Sequence, residues 1–136
     1  MKDPMNKVRV VAIDDVSDIL DLIQYNLEKE GMEVDIFTDG SKAIRHIAET
    51  KPNVVISDWM MPEPDGLEVC RILRNHMATR EIPIIMLTCK GDIADYKAAI
   101  DAGASDYIAK PVRMDELVRR IKLLLPSDGL QRAHFG

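Results

Sequence analysis

The stretch NVVISDWMMPEPDGLEVCRILRN, residues 53–75, contains the pattern from which the fold can be deduced. Residues 54–57 are a short apolar run, which predicts a buried strand, and residues 66–75 have the apolar spacing of an amphipathic helix. The loop between them begins with Asp58 and is rich in turn-forming residues. The stretch therefore predicts a strand, a loop that starts with a carboxylate, and a helix.

The same strand and helix unit recurs five times along the chain. Apolar runs predict strands at residues 8–13, 33–37, 54–57, 82–87 and 105–109, and helical spacing predicts helices at residues 16–27, 41–49, 66–75, 92–102 and 114–125. Because parallel strands need crossover helices that cover both faces, the sequence predicts an α/β fold, a doubly wound five-stranded parallel sheet with five helices. The strands at 54–57 and 82–87 are the most uniformly apolar and should be central, whereas 33–37 alternates and should be an edge strand.

Length and composition describe a single globular domain. The chain has 136 residues, of which 46% are hydrophobic and 30% are charged. We expect an N-terminal extension at residues 1–7 and the domain at residues 8–125. Residues 126–136 lose the periodicity and are expected to form a linker or disordered tail.

Several classes of protein are disfavoured by the same data. No apolar run approaches the roughly 20 residues of a membrane helix, and the N-terminus lacks the apolar stretch of a secretory signal, so a cytoplasmic location without membrane contact is expected. The net charge of −5 argues against direct nucleic-acid binding by this domain. Cys70 and Cys89 lack metal-binding spacing and are expected to be free thiols, buried or half-buried.

Polar side chains stand where four of the predicted strands end. Asp14 and Asp15 follow the first strand, Asp58 the third, Thr88 the fourth and Lys110 the fifth. In doubly wound sheets, ligands bind at the carboxyl ends of the strands, near the point where the strand order reverses. We therefore expect these five side chains to form one site.

The chemistry of this set favours phosphoryl transfer. Three converging carboxylates repel one another unless a cation neutralises them, and hard oxygen ligands select Mg²⁺ or Mn²⁺. Asp58 can act as the nucleophile that forms an acyl phosphate. Lys110 and the metal would supply positive charge around the phosphoryl oxygens, and Thr88 would supply a hydroxyl donor.

Each residue has a less specific interpretation when it is taken alone. Asp14 and Asp15 fit a solvated helix N-terminus, and Asp58 fits a turn. Tyr107 fits a core or rim aromatic side chain, and Arg113, Arg119, Arg120 and Lys122 fit the solvated face of the last helix.

Four motifs in a fixed order carry a resemblance to a known family: AIDDVSD at 12–18, SDWMMPEPDG at 57–66, MLTCK at 86–90 and DYIAKPV at 106–112. Over residues 8–125 the chain resembles the receiver domain of a two-component response regulator, of the chemotaxis-regulator type, with a flavodoxin-like receiver fold. The resemblance implies a signalling switch that is phosphorylated on Asp58 by a sensor histidine kinase or phosphotransfer domain. Such a domain is not an enzyme beyond catalysing its own phosphorylation and dephosphorylation.

The resemblance also implies roles for individual residues. Mg²⁺ would be bound by Asp15, Asp58 and the backbone carbonyl of Met60, with Asp14 assisting, and Thr88 and Lys110 would contact the phosphoryl group. Lys110 and Pro111 would be joined by a cis peptide bond. Tyr107 would be an aromatic switch that changes the surface of the fourth helix, fifth strand and fifth helix, thereby controlling an output domain or partner protein or a homodimer.

Two positions depart from the chemotaxis regulator that this chain resembles. Met60 and Lys90 stand where that regulator has a polar and an acidic residue, at positions that tune how water reaches the acyl phosphate. The resemblance therefore implies a longer lifetime for the phosphorylated form than in the chemotaxis type.

Three other functions are compatible with parts of the pattern. A phosphatase or phosphotransferase of the haloacid dehalogenase type also uses a nucleophilic Asp with Mg²⁺, but it has a second Asp where this chain has Met60. A flavodoxin-like cofactor binder would need a Ser, Thr and Gly-rich loop after the first strand, where this chain has DDVSD. The third alternative is an interaction domain that works without phosphorylation.

Overall fold

The computed structural model describes residues 7–89 and 93–126. Within these ranges, five strands and five helices alternate strictly. The strands are β1 Arg9–Ile13, β2 Glu33–Phe37, β3 Val54–Asp58, β4 Ile84–Thr88 and β5 Asp106–Ala109. The helices are α1 Ser17–Lys29, α2 Gly40–Thr50, α3 Gly66–Arg74, α4 Ile93–Asp101 and α5 Met114–Leu124.

The strands form one parallel sheet in the order β2-β1-β3-β4-β5. The predicted α/β architecture is therefore confirmed, with β2 at one edge and β3 in the centre. Every residue of β3 and β4 is buried, as their uniformly apolar sequences predict, although β3 and β4 each end in a polar residue. β2 has a mixed burial pattern because its outer edge has no neighbouring strand.

Two hydrophobic layers cover the two faces of the sheet. On one face, α1 and α5 contribute buried side chains that include Leu20, Ile23 and Leu117. On the other face, α2, α3 and α4 contribute buried side chains that include Ile47 and Leu73. The crossover helices thus divide two and three between the faces, which is the doubly wound arrangement.

Some boundaries differ from those predicted. The fourth strand begins at Ile84 rather than at residue 82, since Pro83 has no N–H group to donate to a ladder. The first helix was predicted from residue 16, but it starts at Ser17, and Val16 is its N-cap residue, 46% exposed and without a side-chain capping hydrogen bond. The expected N-terminal extension and tail, apart from Lys7 and Pro126, fall outside the described residues.

Both cysteines were expected to be free thiols, buried or half-buried. Both cysteines are free, and Cys70 is buried, which raises the pKa of its thiol to about 12. Cys89 is exposed, so its predicted burial is wrong, because it follows the last residue of β4 on the surface of the domain.

None of the helices in the described ranges is long and apolar enough to cross a membrane.

The orientation of α1 can be tested by replacing one buried and one exposed leucine. Leu20 is 1% exposed in the layer beneath α1, whereas Leu22 is 51% exposed on the same helix. Replacing Leu20 with Ala removes buried methyl groups and leaves a cavity, so we expect the free energy of unfolding to fall by about 2–5 kcal/mol. The matched Leu22→Ala change should cost less than about 0.5 kcal/mol. Urea denaturation of the two variants measures the difference, and equal losses would show that the helix is rotated from the orientation described.

Candidate functional site

The sheet brings the predicted polar residues to one edge. Asp14 directly follows β1, Asp58 is the last residue of β3, Thr88 is the last residue of β4, and Lys110 directly follows β5. These four strands are neighbours, and their parallel register aligns their carboxyl ends. The site therefore lies at the β1/β3 switch point of the doubly wound sheet, where ligands are expected.

Three carboxylates converge at this edge. Asp14, Asp15 and Asp58 each offer an oxygen, and these three oxygens lie within 4.8 Å of one another. We call these three residues the carboxylate cluster. Asp14 is 1% and Asp58 3% exposed, whereas Asp15 is exposed. The cluster is thus buried on one side and open to solvent at Asp15.

Lys110 provides the positive charge that faces two of these carboxylates. Its Nζ atom lies 2.9 Å from Asp58 Oδ1 and 3.1 Å from Asp14 Oδ2. Burial alone would lower the pKa of Lys110, but its hydrogen bonds to Asp58 and Asp14 raise the pKa overall. The ammonium is therefore held charged between the two buried carboxylates.

The site also alters the pKa of Asp58. Burial raises its pKa above the ordinary aspartate value, and the negative charges of Asp14 and Asp15 raise it further, while Lys110 opposes the shift. A group whose charged form is disfavoured in this way gains from a nearby cation. The cluster accordingly has the electrostatic character of a divalent cation site.

Asp14 is fixed by several local hydrogen bonds. Its Oδ1 accepts from the Val16 N–H at 2.9 Å and its Oδ2 accepts from Lys110, while its own N–H donates to the Phe37 carbonyl at 3.1 Å. Both carboxylate oxygens thus have donors within the protein. Its position in the cluster is set before any ligand binds.

The loop after Asp58 is held tightly against the sheet. The Trp59 N–H donates to the Leu87 carbonyl, and the Trp59 carbonyl accepts from the N–H groups of Met61 and Gly66. A Cβ on Gly66 would lie 2.5 Å from the Asp58 carbonyl oxygen, so no larger residue fits there without a shift. At the end of the loop, Asp65 and Glu68 form a capping box at the start of α3.

The remaining predicted residues surround the cluster. Met60 has a 58% exposed side chain on the loop after Asp58, and Thr88 is fully buried. The peptide bond between Lys110 and Pro111 is cis, and so is the Glu63–Pro64 bond, which was not predicted. Lys90 lies outside the described residues.

An aromatic cluster lies next to the site. The half-buried ring of Tyr107 packs edge-on against Trp59, with centroids 6.4 Å apart, and against Tyr96, with centroids 5.7 Å apart. Trp59 is 5% exposed and adjoins Asp58 in sequence. Sequence reasoning missed its contribution, although its position directly after the acidic residue was a usable signal.

The Lys110 interactions can be tested in metal-free protein. Lys110→Met leaves two buried carboxylates without their cation, so we expect a loss of about 3 kcal/mol in unfolding free energy at neutral pH. The pKa of Asp58, already raised, would rise further, and the folded state would then bind protons that the unfolded chain does not. Stability should therefore recover in part as the pH falls from about 8 to about 5.

The control for this variant is Lys122→Met, which removes an exposed ion pair with Glu30 (3.1 Å). Exposed pairs contribute less than about 1 kcal/mol, so this variant should lose little stability at any pH. Urea denaturation in the presence of a chelator at several pH values measures both. A Lys110→Met loss that is small, or that grows on acidification, would contradict the assigned charges.

The sequence matches a known family over most of its length. Residues 10–122 match the response regulator receiver domain family. The chain is 38% identical over 117 residues to the phosphate regulon transcriptional regulatory protein PhoB of Rhizobium meliloti (strain 1021). That alignment covers 86% of this chain and 52% of PhoB, so the chain spans about half the length of this curated relative.

Solved structures show the same similarity. A putative response regulator from Chloroflexus aurantiacus J-10-fl superposes with a TM-score of 0.83 at 34% identity, covering 88% of this chain and 98% of the other. The Vibrio cholerae chemotaxis protein CheY4 superposes with a TM-score of 0.83 at 27% identity, covering 88% and 99%. With its five-stranded parallel sheet and the carboxylates at the end of β1 and β3, the chain belongs to the response regulator receiver domain family of two-component signalling.

Proposed function

We propose that the chain is a phosphorylation-operated switch that accepts a phosphoryl group on Asp58 with the help of Mg²⁺. The observation that carries this proposal is the placement of Lys110 Nζ between Asp58 and Asp14, beside the exposed Asp15. A nucleophilic carboxylate, a fixed ammonium and an open cation site are the parts that phosphoryl transfer requires. The family membership supports the same function.

The donor set of the cluster suits Mg²⁺ or Mn²⁺. All the candidate ligands are hard oxygens: the carboxylates of Asp15 and Asp58, the backbone carbonyl of Met60, and Asp14 in an assisting role. Because both Asp14 oxygens already accept hydrogen bonds within the protein, that residue suits an indirect role better than a direct one. When bound, the metal supplies positive charge that offsets the repulsion between the carboxylates and the incoming phosphoryl oxygens.

The residues of the chain would share the work of the transfer. A carboxylate oxygen of Asp58 attacks the phosphorus of a phosphohistidine on a sensor kinase or phosphotransfer domain. The P–N bond breaks as the P–O bond forms, and the departing imidazole takes up a proton from solvent. Lys110 then pairs with a phosphoryl oxygen, and the Thr88 hydroxyl donates to another.

The aromatic cluster supplies a route from the phosphoryl group to the surface. If Thr88 moves toward the phosphoryl group, space changes beside Tyr107, whose ring contacts Tyr96 on α4 and Trp59 on the Asp58 loop. An altered Tyr107 rotamer would change the face formed by α4, β5 and α5. That face would control an output domain or partner protein, or a homodimer.

The output that the proposed switch would control lies outside this domain. Since the chain spans about half of PhoB, the output would lie in further sequence or in a separate protein. The acidic net charge favours protein partners over direct contact with nucleic acid. The receiver would work in the cytoplasm, where kinase and ATP meet.

A hydrolytic enzyme of the haloacid dehalogenase type is disfavoured by Met60. A thioether cannot act as the general acid that such an enzyme carries two residues after its nucleophile. The exposed, apolar Met60 side chain would instead hinder the approach of water to the acyl phosphate. We therefore propose that the phosphorylated form is long-lived, because the chain catalyses its own dephosphorylation only slowly.

Phosphorylation can be detected by intact mass. After incubation with acetyl phosphate and Mg²⁺, we expect a gain of one phosphoryl group that is absent with excess chelator and absent in Asp58→Asn. Asp18→Asn, which removes a carboxylate from the first turn of α1 instead, should be phosphorylated normally. The same spectra, recorded over time after the donor is removed, should show loss over minutes or longer. No gain under any condition would refute the function, and a half-life of seconds would refute the slow hydrolysis.

Metal binding can be measured independently of phosphorylation. Trp59 is the single tryptophan of the chain and adjoins Asp58, so its fluorescence should change as MgCl₂ is added. Asp15→Asn removes the exposed carboxylate and should weaken Mg²⁺ binding at least about tenfold, since each ligand of a hard cation contributes strongly. Asp18→Asn, equally exposed but outside the cluster, should bind as the unsubstituted protein does. Equal weakening in both variants would show a non-specific effect of surface charge.

A further inference from the structure

Arg74, the last residue of α3, connects three segments at the amino ends of the strands, on the side of the sheet opposite the carboxylate cluster. Its Nε donates to the Gly103 carbonyl at 2.9 Å, and its Nη1 donates to the carbonyls of Arg80 at 3.0 Å and Ile82 at 2.7 Å. Its Nη2 lies 3.4 Å from Ser105 Oγ. One guanidinium thus connects the end of α3, the loop before β4, and the turn between α4 and β5.

The turn between α4 and β5 is built around this side chain. Gly103 has φ +111°, and a Cβ there would lie 2.6 Å from Arg74 Cγ, so the backbone approaches the arginine more closely than another residue would allow. Ser105 ties the same turn to β4, because its N–H donates to the Ile84 carbonyl and its Oγ accepts from the Ile84 N–H. The turn is therefore fixed to both the arginine and the sheet.

The described side chains of the helix that precedes this turn, at residues 94–101, are mostly exposed or half-buried. Among the described side chains of α4, Ala99 alone is buried, whereas Tyr96 and Ile100 are exposed. By comparison, α1 buries Leu20, Ile23 and Leu27. Alanine removes far less apolar surface from water than leucine or isoleucine, so residues 94–101 of α4 contribute less hydrophobic burial than α1 does.

The two ends of α4 lie in different surroundings. The helix starts beyond the carboxyl end of β4, on the side of Thr88, and its nine residues extend about 13 Å to the opposite edge, where Arg74 binds the turn. The end nearer to the phosphoryl site is the end that Arg74 does not touch. Arg74 thus restrains the C-terminal end of the helix, whereas the N-terminal half contacts β5 through the edge-on rings of Tyr96 and Tyr107.

We propose that Arg74 anchors the C-terminal end of α4 as a pivot. Phosphorylation at Asp58 then displaces residues 93–97 while residues 102–105 stay in place, and the helix rotates about its anchored end. This inference rests on the proposed function and adds the way in which the α4 surface moves. An anchored end converts a small change beside Thr88 into a change of direction for the exposed Tyr96.

The anchor depends on the geometry of the guanidinium rather than on its charge alone. The donors of Arg74 point in fixed directions and satisfy three backbone carbonyls, two in the loop before β4 and one in the turn before β5. An ammonium on a lysine stem cannot reach all three at once. Both Arg74→Met and Arg74→Lys should therefore release the turn.

Residue-resolved amide hydrogen exchange tests the anchor. The N–H groups of residues 102–105 are all hydrogen-bonded, so they should exchange slowly in the unsubstituted protein. Arg74→Met and Arg74→Lys should accelerate their exchange about tenfold or more, without phosphorylation. The control is Arg71→Met, which removes an exposed arginine one turn earlier on α3 and should change exchange less than about twofold.

The pivot is tested by repeating the exchange with excess acetyl phosphate and Mg²⁺. In the unsubstituted protein, phosphorylation should change exchange at residues 93–97 and leave residues 102–105 unchanged within about twofold. In the two Arg74 variants the change should extend through residue 105. A merely structural arginine would raise exchange equally in both states and would not alter where phosphorylation acts.

The outcomes separate this inference from the function on which it rests. Unchanged exchange at residues 102–105 in both Arg74 variants would overturn the anchor. If the protein is phosphorylated but residues 102–105 respond as much as residues 93–97, the pivot is wrong and the switch stands. If intact mass shows no phosphoryl uptake, the proposed function and the pivot both fall.

Discussion

Three carboxylates repel one another at the carboxyl ends of β1 and β3, and the surrounding residues of the site are arranged to offset that repulsion. Asp14 and Asp58 are buried within a few ångströms of each other, an arrangement that costs free energy unless positive charge is present. Lys110, which directly follows β5, supplies one positive charge to Asp14 and Asp58. In the proposed function, a divalent cation would stabilise this site and a phosphoryl group would rearrange it, since both change its charge balance.

The scaffold around the cluster is correspondingly rigid. β3 and β4 are buried along their full length, Asp14 is held by donors to both oxygens, and Gly66 leaves no free space behind Asp58. In α4, by contrast, Ala99 alone is buried among residues 94–101, and Arg74 binds the turn that follows the helix. In the proposed switch, a change of charge at the fixed strand ends would therefore alter the surface of α4 rather than the sheet.

Much of this could be predicted from sequence because the determining signals are local. The apolar runs and helical spacing give the order of strands and helices, and parallel strands must then bring residues such as Asp14, Asp58 and Lys110 to one edge. The exposure of Val16 and Cys89 was not predicted, since each lies one residue outside an element whose exact end depends on tertiary packing. The partners of Arg74 lie up to 31 residues away and leave no periodic trace in the sequence.

The aromatic contacts belong to the same class of unpredicted feature. Tyr107 could be singled out by resemblance, but its edge-on contacts with Trp59 and Tyr96 depend on how the Asp58 loop and α4 pack against β5. In the proposed switch, these contacts would connect the end of β3 to the surface of α4 over a short distance. They also place the single tryptophan beside the residue where the chemistry would occur.

Reductive trapping of the phosphorylated residue tests whether Asp58 is the phosphoacceptor. Borohydride reduces an aspartyl phosphate to homoserine, and peptide mass spectrometry then locates the altered position. After treatment with acetyl phosphate and Mg²⁺, we expect homoserine at position 58 and unaltered aspartate at positions 14 and 15. Homoserine at either of those positions, or at none of the three, would contradict this assignment.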